Sequence, residues 1–426
     1  MGKRPQNALR CRQLPMRRRT VLILVGCYLP GFRAGGPVRS IANLVAAFGG
    51  EFDFRIVTLD RDHQAKTPYP GVAPNQWVRV GQADVIYLRP GIRGFLSTYG
   101  LLRSVDGNTI LYVNSFFARR FSMLPLFMRW LKLCRPRSLV LAPRGEFSLG
   151  ALGLHPMRKR LYIGIARRVG LYQGVVWHAS SEFEVEDIRR QFPKTKAISV
   201  AGVIPDIGSS SDQHKGIIFT ASDISAPASL GVSGRSKKSP GQLRAVFVSR
   251  FSRMKNVAGA LRMLTGLAGD VSFDIYGPKE DPEYWEECQR LIAALPSNIQ
   301  VRYMGEIEHK EVGRVFAEHD LFFFPTLGEN YGHVISEALA SGCPVVISDQ
   351  TPWRNLEAEG IGWDIPLNET ERFRSVLQQC VDSDDEWFTA LSERAMDYSA
   401  KRASAPETVN ANRRLFERAF SWPNAQ

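Results

Sequence analysis

The stretch FFFPTLGENYGHVISEALASGCPVVISD, residues 322–349, decides the fold of this 426-residue chain. An unbroken apolar run ends at Pro325, a glycine-containing loop follows, and a short helical pattern leads into a second apolar run, PVVISD. Apolar runs of this length joined through a helix are typical of parallel strands that are buried on both faces of an α/β sheet. Ligands of such sheets bind beyond the carboxyl ends of the strands, so we expect the loop and the helix start to face a cleft.

Two regions of alternating apolar runs and helix-length segments lie on either side of a compositional break, and the stretch 322–349 belongs to the second region. The first region begins with VLILVG and ends with AISVAGVIP, whereas the second begins with RAVFVSR. Between them the alternation stops and Ser, Gly and Pro predominate, which marks a domain boundary. The sequence therefore predicts a basic arm (1–19), a Rossmann-like domain (20–205), a linker or insertion (206–242), a second Rossmann-like domain (243–404) and a terminal helix (405–426) that by analogy packs back on the first domain.

The net charge of +13 is divided unevenly between the two halves. Residues 1–205 carry 32 Lys and Arg against 11 Asp and Glu, whereas residues 206–426 carry 23 against 31. A basic first half favours an anionic partner, namely phospholipid headgroups, a phosphorylated acceptor or nucleic acid. The alternative is an excess of solubilising charge with no specific partner.

Cysteine spacing and hydropathy indicate the cellular compartment of the protein. The six cysteines show neither close pairing nor metal-ligand spacing, which favours free thiols in a reducing compartment. No apolar run reaches the roughly 20 residues of a membrane-spanning helix. Residues 17–27, RRRTVLILVGC, resemble a lipoprotein signal peptide, but the apolar run is shorter than a signal core and suits a first buried strand. We therefore expect a cytoplasmic protein, with a peripheral position on the inner face of the cytoplasmic membrane left open.

Two carboxylates, Glu329 and Glu337, lie eight positions apart in the opening stretch. Gly332 and His333 stand at the predicted helix start, where N–H groups without intrahelical acceptors suit a phosphate. Glu329 can contact the far end of such a ligand, while Glu337 accepts hydrogen bonds from a hydroxyl pair. The alternative is a helix cap and a solvated side chain, but Glu337 precedes a turn into a strand, where a surface glutamate has little reason to occur.

The segment SRFSRMKN, residues 249–256, follows the first strand of the second domain. Arg250 and Lys255 flank a short loop at the carboxyl end of that strand, and Arg253 could substitute for either. A guanidinium and an ammonium at this place would donate charge-assisted hydrogen bonds to a diphosphate leaving group without a metal. A solvated basic turn is the alternative.

Together these segments resemble the retaining glycosyltransferases of family four, which have the GT-B fold of two Rossmann-like parallel-sheet domains facing a central cleft. The resemblance covers most of the chain, and its carriers are GFRAGGPVRS (31–40), SRFSRMKN and ENYGHVISEALASGCPVVISD (329–349). It implies a nucleotide-diphosphate sugar as co-substrate, bound mainly by the second domain, with Glu337 on the ribose and Glu329 on the sugar ring.

The same resemblance assigns the diphosphate to Arg250 and Lys255, with Gly35 and Gly36 closing on it from the first domain. It implies transfer with retention at the anomeric carbon, no bound cofactor and no metal. We expect attack on the face from which the leaving group departs, with the donor phosphate accepting the acceptor's proton; a carboxylate nucleophile is the alternative. The acidic triplets at residues 60–62 and 382–384 have the spacing of metal-dependent transferases but are expected to be surface charge.

The resemblance also implies an acceptor site in the first domain, which usually holds the acceptor in this fold. Acceptor-side candidates are Arg144 and Glu146 in PRGEFSLGAL and His178 in WHASSEFE, although a lone histidine at a strand end is more often a packing residue. Residues 117–137 and 155–170 combine arginines with aromatic and aliphatic side chains, as membrane-surface segments do, although each alone also suits an ordinary domain helix. We therefore expect a lipid-linked saccharide acceptor in cell-surface polysaccharide synthesis and an anionic membrane surface as partner, with no nucleic acid.

Three other functions remain open from the sequence. They are a nucleotide-sugar epimerase on the GT-B fold, a glucan phosphorylase, for which no pyridoxal-binding lysine stands out, and a non-enzymatic basic protein that binds polyanions. The donor base and sugar, the acceptor and linkage, and the oligomeric state do not follow from the sequence.

Overall fold

The computed structural model describes residues 19–31, 33–153, 156–204, 236–403 and 405–422. Nearly all of the predicted basic arm, and residues 205–235 of the predicted linker and its approach, lie outside these described residues. The described part contains two separate sheets, one before residue 205 and one after residue 241. The α/β class with two parallel sheets, predicted from the sequence, is confirmed.

The first sheet has eight strands in the order β3-β4-β2-β1-β5-β6-β7-β8. All neighbours are parallel except β3, which pairs with β4 in the antiparallel direction at one edge. The central strands are buried along nearly their whole length, because helices cover both faces of the sheet. Its strands are β1 Thr20–Leu24, β2 Asp53–Leu59, β3 Trp77–Val80, β4 Ala83–Leu88, β5 Thr109–Asn114, β6 Ser138–Ala142, β7 Val175–Ala179 and β8 Ile198–Val200.

The second sheet has six parallel strands in the order β11-β10-β9-β12-β13-β14. The chain crosses from β11 at one edge to β12 beside β9, so the strand order reverses between β9 and β12. Ligands of open α/β sheets bind at such a reversal point. The strands are β9 Gln242–Val248, β10 Asp270–Tyr276, β11 Ile299–Gly305, β12 Leu321–Phe324, β13 Val345–Ser348 and β14 Gly362–Ile365.

Helices connect most of these strands. Those before the linker are α1 Gly36–Phe48, α2 Gly91–Arg103, α3 Leu124–Trp130, α4 Leu149–Gly153, α5 Pro156–Arg168 and α6 Glu182–Gln191, with a π-helical turn Arg119–Met123 before α3. Those after it are α7 Val257–Leu264, α8 Pro282–Ala293, α9 His309–Glu318, α10 His333–Ala340, α11 Leu356–Glu359, α12 Thr370–Asp382, α13 Asp385–Ala403 and α14 Pro406–Ser421, with a 3-10 turn Arg253–Lys255 before α7.

The terminal helix α14 packs on the first domain. The Phe416 ring is fully buried and contacts the rings of Phe52, Phe54 and Tyr112, with centroids 5.2, 6.0 and 6.2 Å away. Burying a phenylalanine side chain stabilises a fold by about 1.5–3 kcal/mol, so this cluster ties the end of the chain to the first sheet. Asn412, also buried, donates to the carbonyl of Gly202 at 2.8 Å.

Two further observations concern the helices and the cysteines. None of the helices within the described ranges is both long enough and apolar enough to cross a membrane. The five described cysteines are all buried and none of them forms a disulfide. Burial raises the pKa of the Cys27 and Cys134 thiols to about 11, so both are protonated at neutral pH.

Candidate active site

Helix α10 begins at the reversal point of the second sheet because Gly332 can adopt a left-handed conformation. Its φ is +77°, and a Cβ at this position would lie 2.8 Å from Cδ1 of Ile335, so only glycine fits. The chain turns there from the loop after β12 into the helix, with His333 as its first residue. The first-turn N–H groups of α10 are therefore presented near the carboxyl edge of the sheet, and an anion is stabilised by such groups.

Lys255 and Glu329 form an ion pair between the loops that follow β9 and β12. Both side chains are largely buried, and the Lys255 ammonium also lies over the ring of Phe324. Asn256 fixes this arrangement, because it takes a left-handed conformation, caps α7 by accepting from the Gly259 N–H, and donates to the Pro325 carbonyl at 2.8 Å. The structure thus brings together two residues that the sequence had assigned to the diphosphate and to the sugar.

Arg250 and Arg253 point to different partners. Arg250 Nη1 lies 3.1 and 3.3 Å from the two carboxylate oxygens of Glu280, and its side chain is 40% exposed. Arg253 contacts Asp281 and Glu287 at 3.3 and 2.9 Å, on the α8 side of the turn. Both arginines are therefore paired with carboxylates at or just before α8, Arg250 with one and Arg253 with two. Arg250 stays the candidate for the diphosphate that the sequence predicts.

The glycine loop of the first domain lies directly against the start of α10. A Cβ on Gly36 would approach the His333 ring to 3.0 Å, so the missing side chain permits this contact. Ser40 Oγ lies 3.0 Å from His333 Nε2, and Arg39 forms an ion pair with Glu337. Gly35, which precedes α1, has a φ of +66°. The helix starts of α1 and α10 therefore meet across the cleft, and the sequence prediction did not include Arg39 or Ser40.

A second contact across the cleft joins the loops after β6 and β7 to the loop before α10. Ser180 Oγ donates to the Asn330 side-chain oxygen at 3.0 Å, and a Cβ on Gly145 would lie 3.0 Å from the Asn330 Cβ. The sequence prediction also missed Asn330. Its only signal was its place beside Glu329, because nothing in a single sequence shows which loops of the two domains meet.

Arg144 is held by a chain of buried hydrogen bonds. It has a positive φ of 55°, and its guanidinium donates from Nε to the Asn114 side-chain oxygen at 2.7 Å and from Nη2 to the Tyr112 hydroxyl at 2.8 Å. Within the described residues no hydrogen-bond acceptor contacts Nη1. A non-glycine residue at positive φ is costly and persists where the surroundings enforce it, as they often do at functional sites.

His178 lies behind Arg144 rather than in the cleft. It is 2% exposed, its Nε2 lies 2.8 Å from the Ala201 carbonyl, and its Nδ1 lies 2.7 Å from the Tyr112 hydroxyl. A carbonyl only accepts, so Nε2 carries the proton and Nδ1 accepts from Tyr112. Burial, aided by the positive charge of Arg144, lowers the pKa of His178 to about 3. Any contribution of His178 to an acceptor site is therefore indirect, through Tyr112 and Arg144.

Two carboxylates shape the loop that carries Arg144. Glu146 accepts from Ser115 Oγ at 2.8 Å and from the N–H of Phe116 and Phe117 at 2.5 and 3.0 Å. Burial raises the pKa of Glu146 above its usual value, and these hydrogen bonds offset only part of that rise. Glu184, which the sequence prediction missed, is buried and accepts from the Gly145 N–H at 2.7 Å. These contacts fix the backbone of the loop, so Glu146 acts there as a loop-shaping residue.

The two Asp-x-Asp triplets at residues 60–62 and 382–384 differ in burial. Among the described residues no group of three or more His, Cys, Asp or Glu is arranged to hold a metal ion. The expectation of surface charge was wrong for Asp60, which is buried and forms an ion pair with Arg61 at 2.9 Å. Asp382 and Asp384 are exposed, and Asp384 accepts from the Trp387 N–H at the start of α13.

Part of the chain matches a known protein family. A family model described as "Glycosyl transferases group 1" matches residues 233–399. A phosphatidyl-myo-inositol mannosyltransferase of Mycolicibacterium smegmatis is 26% identical over 169 residues, which are 38% of this chain and 42% of the relative. The alignment thus spans less than half of that protein's length.

Solved structures match the chain over nearly its whole length. HepE of Anabaena, in complex with UDP and glucose, covers 94% of this chain and 99% of its own, with 16% identity and a TM-score of 0.62. The sucrose-phosphate synthase of Thermosynechococcus elongatus covers 94% of this chain and 100% of its own, with 16% identity and a TM-score of 0.64. Identities this low show the fold alone. Residues 233–399 therefore match the group 1 glycosyltransferases, in a chain that has the two-domain GT-B fold.

Proposed function

We propose that this chain transfers a hexose, with retention at the anomeric carbon, from a nucleotide-diphosphate sugar to a saccharide acceptor. The observation that carries the proposal is the convergence of the Lys255–Glu329 pair and the start of α10 beside the strand reversal of the second sheet. This convergence lies inside the region that matches the group 1 glycosyltransferases. The second domain is the donor domain in this proposal, and the first domain holds the acceptor.

Four parts of the second domain bind the donor in this proposal. The α10 start at Gly332 and His333 takes phosphate oxygens, and Lys255 donates to them while it retains a contact to Glu329, because an ammonium has three donors. Arg250 exchanges Glu280 for the diphosphate, and since that ion pair is partly exposed the exchange costs little. Glu337 accepts hydrogen bonds from the ribose.

The leaving diphosphate is stabilised by these cations as its charge develops. Glu329 is neutralised by Lys255 and therefore suits hydrogen bonding to the sugar ring better than nucleophilic attack. The acceptor hydroxyl attacks from the side on which the diphosphate departs, and a phosphate oxygen accepts its proton. This route requires neither a metal nor another bound cofactor, as the resemblance to family four implies.

Arg144 is the proposed contact to the acceptor. Its guanidinium projects from a loop whose next residue, Gly145, lies against Asn330 of the second domain. Asn114 and Tyr112 fix its orientation, and Nη1 is directed to no other described side chain. A fixed guanidinium recognises phosphate or carboxylate oxygens, which a lipid-linked, pyrophosphate-bearing saccharide would supply.

An apolar surface of the first domain supports the lipid-linked acceptor. Of the fifteen large apolar side chains that are exposed among the described residues, eleven lie between residues 92 and 169. We call these eleven the apolar face: Ile92, Phe95, Leu96, Phe127, Trp130, Leu131, Leu133, Met157, Leu161, Ile165 and Val169. They belong to α2, α3, α5 and the turns after α3 and α5, a region that soluble proteins normally cover with polar side chains.

The parts of the apolar face are joined to one another. Trp130 Nε1 donates to the Val169 carbonyl at 3.1 Å, which connects α3 to the end of α5. Arg120 donates to the Gly94 carbonyl at 2.6 Å, which connects the π-helical turn before α3 to α2. The exposed apolar side chains therefore belong to one packed group of helices rather than to separate surfaces.

Helix α5 combines exposed apolar side chains with a dense positive charge. Met157, Leu161 and Ile165 are four residues apart and exposed, whereas only Ile163 and Ala166 of this helix are buried. Its cations are Arg158, Lys159, Arg160, Arg167 and Arg168. Apolar residues that enter the interface and cations that contact anionic headgroups are the combination of a peripheral membrane helix. The apolar face thus supports the proposal of a lipid-linked acceptor in cell-surface polysaccharide synthesis on the inner face of the cytoplasmic membrane.

The donor part of the proposal is tested by sugar release from UDP-, GDP- and ADP-sugars. UDP-glucose is the first donor to test, because the similar HepE structure contains UDP and glucose. We expect Glu337→Ala and Lys255→Ala to lower turnover. Arg413→Ala removes an α14 arginine that forms an ion pair with Glu51, and it should leave turnover unchanged. Unchanged turnover in both site variants would contradict the assignment. Thermal stabilisation by duplex DNA rather than by UDP or GDP would instead favour a polyanion-binding protein.

The membrane part is tested separately by sedimentation with liposomes that contain phosphatidylglycerol. We expect binding that high salt weakens and that the double substitution Leu161→Glu, Ile165→Glu abolishes. Trp77→Ser is the matched control, since this exposed aromatic residue lies on β3, outside the apolar face. Transfer to a soluble acceptor without liposome binding would overturn the membrane proposal and leave the donor proposal standing.

A further inference from the structure

The first turn of α1 contacts the two residues of α10 that the proposed donor site uses. Arg39 forms an ion pair with Glu337, and the side chains are only 18% and 15% exposed. One residue further along, Ser40 Oγ lies 3.0 Å from His333 Nε2. The donor-binding helix of the second domain is therefore contacted by consecutive polar residues of the first domain.

We infer that Arg39 is a positioning residue for the nucleoside: it orients the Glu337 carboxylate so that this carboxylate accepts the hydroxyls of the donor's ribose. The inference rests on the proposed function, which assigns the ribose to Glu337. It adds a first-domain residue to a recognition step that otherwise belongs to the second domain.

The chemistry of the pair supports this role. Arg39 pairs with the Glu337 carboxylate, which has about four lone-pair positions on its two oxygens, so a ribose hydroxyl can donate to Glu337 while Arg39 remains in place. A carboxylate that is mostly buried is costly without a cation, and Arg39 supplies that cation to Glu337.

The position of α1 links this contact to the closed cleft. Gly36 lies against the His333 ring, and Asn43, one turn beyond Arg39, donates to the Ile204 carbonyl at 2.9 Å near the end of the first domain. Helix α1 is thereby fixed within the first domain, and its arginine reaches Glu337 only when the two helix starts meet. Strong ribose binding therefore requires the closed arrangement of the two domains.

The chain offers a matched control in a second ion pair between the domains. Arg33, six residues before Arg39, lies 3.4 Å from Glu306, and both side chains are about half exposed. An exposed pair of this kind contributes little, because solvent screens it. Arg33→Ala therefore removes an arginine and an interdomain charge contact without affecting Glu337.

The test measures binding of UDP and GDP, and of dUDP and dGDP, which lack the ribose 2′-hydroxyl, by titration calorimetry. We expect Arg39→Ala to weaken binding of the preferred ribonucleotide about 10- to 100-fold, the range that loss of a charge-assisted hydrogen bond gives. The preference for the ribose form over the deoxyribose form should fall towards one. Arg39→Lys should restore part of both effects, and Arg33→Ala should change affinity less than about threefold.

Two outcomes separate the inference from the proposed function. If Arg39→Ala keeps the wild-type preference for ribose while Glu337→Ala loses it, the role of Arg39 is refuted and the donor site stands. If Glu337→Ala binds UDP and GDP as the wild type does, the proposed donor site itself is refuted. The thermal midpoint of each variant shows that it is folded, and Arg39→Lys serves in its place if Arg39→Ala is not.

Discussion

Replacing Lys255 by methionine should affect stability and catalysis in ways that a second substitution can separate. Methionine retains the unbranched apolar stem of the lysine, so packing beside Phe324 is largely preserved. The substitution leaves the Glu329 carboxylate without its cation, in a place where its side chain is 15% exposed. The double variant Lys255→Met, Glu329→Gln removes that charge as well and keeps the shape of the pair.

The magnitude follows from the burial of the pair. Removing one partner of a fully buried ion pair costs about 3–5 kcal/mol, and the residual exposure of Lys255 and Glu329 lowers this to about 2–3 kcal/mol. For a domain of this size each kcal/mol shifts the thermal midpoint by about 2–4 °C, so we expect a decrease of roughly 5–10 °C. The double variant should recover most of it, because no uncompensated charge remains. Donor turnover should fall about 100- to 1000-fold in both, since neither stabilises the leaving diphosphate.

Differential scanning calorimetry and donor hydrolysis measure the two effects on the same preparations. A double variant as unstable as the single one would show that the unpaired Glu329 is not the cause of the instability. Near-normal turnover in Lys255→Met would show that Lys255 does not stabilise the leaving group. Recovered stability with lost turnover is the result that the structure predicts.

Three further predictions concern the rest of the chain. The pKa of His178 is lowered from 6.5 to about 3, so between these pH values the unfolded chain binds a proton that the folded chain does not. The free energy of unfolding should therefore fall by about 1.4 kcal/mol per pH unit as pH decreases from about 6.5 towards 3. His178→Gln should flatten this slope in urea titrations at about pH 4–6. Phe416→Ala should destabilise the first domain by about 3–5 kcal/mol, measured by thermal unfolding, because it leaves a cavity among Phe52, Phe54 and Tyr112. Prolonged treatment with EDTA should leave sugar transfer unchanged in a turnover assay, whereas a loss that Mg²⁺ or Mn²⁺ restores would refute the metal-independent route.

The fold was predictable because its determinants are local. Unbroken apolar runs such as that of β12 specify buried parallel strands, and glycine at 332 specifies where α10 begins. The pairing of Lys255 with Glu329 was partly predictable for the same reason, since both follow neighbouring strands of one sheet and the carboxyl ends of parallel strands lie at one edge.

Contacts between the domains were not predictable in this way. Arg39 and Glu337 are separated by almost 300 positions and lie on helices of different domains, so no periodicity connects them. The environment of His178 was hidden for a related reason, because a strand pattern shows that a residue is near a sheet end but not whether its ring faces the cleft or the interior. Apolar side chains on the outer face of α5 were visible in the sequence, but an ordinary amphipathic helix would have placed them inward.

The segment that follows β8, residues 201–204, provides a common anchor for these elements. The carbonyls of residues 201, 202 and 204 accept hydrogen bonds from His178, from Asn412 of α14 and from Asn43 of α1, respectively. His178 orients Arg144 through Tyr112, and α1 carries Arg39, so the two first-domain arginines proposed to act in the cleft depend on the same short segment. A change in that segment should therefore alter acceptor and nucleoside recognition together, whereas a change in the Lys255–Glu329 pair should alter the contacts to the leaving diphosphate and to the donor sugar.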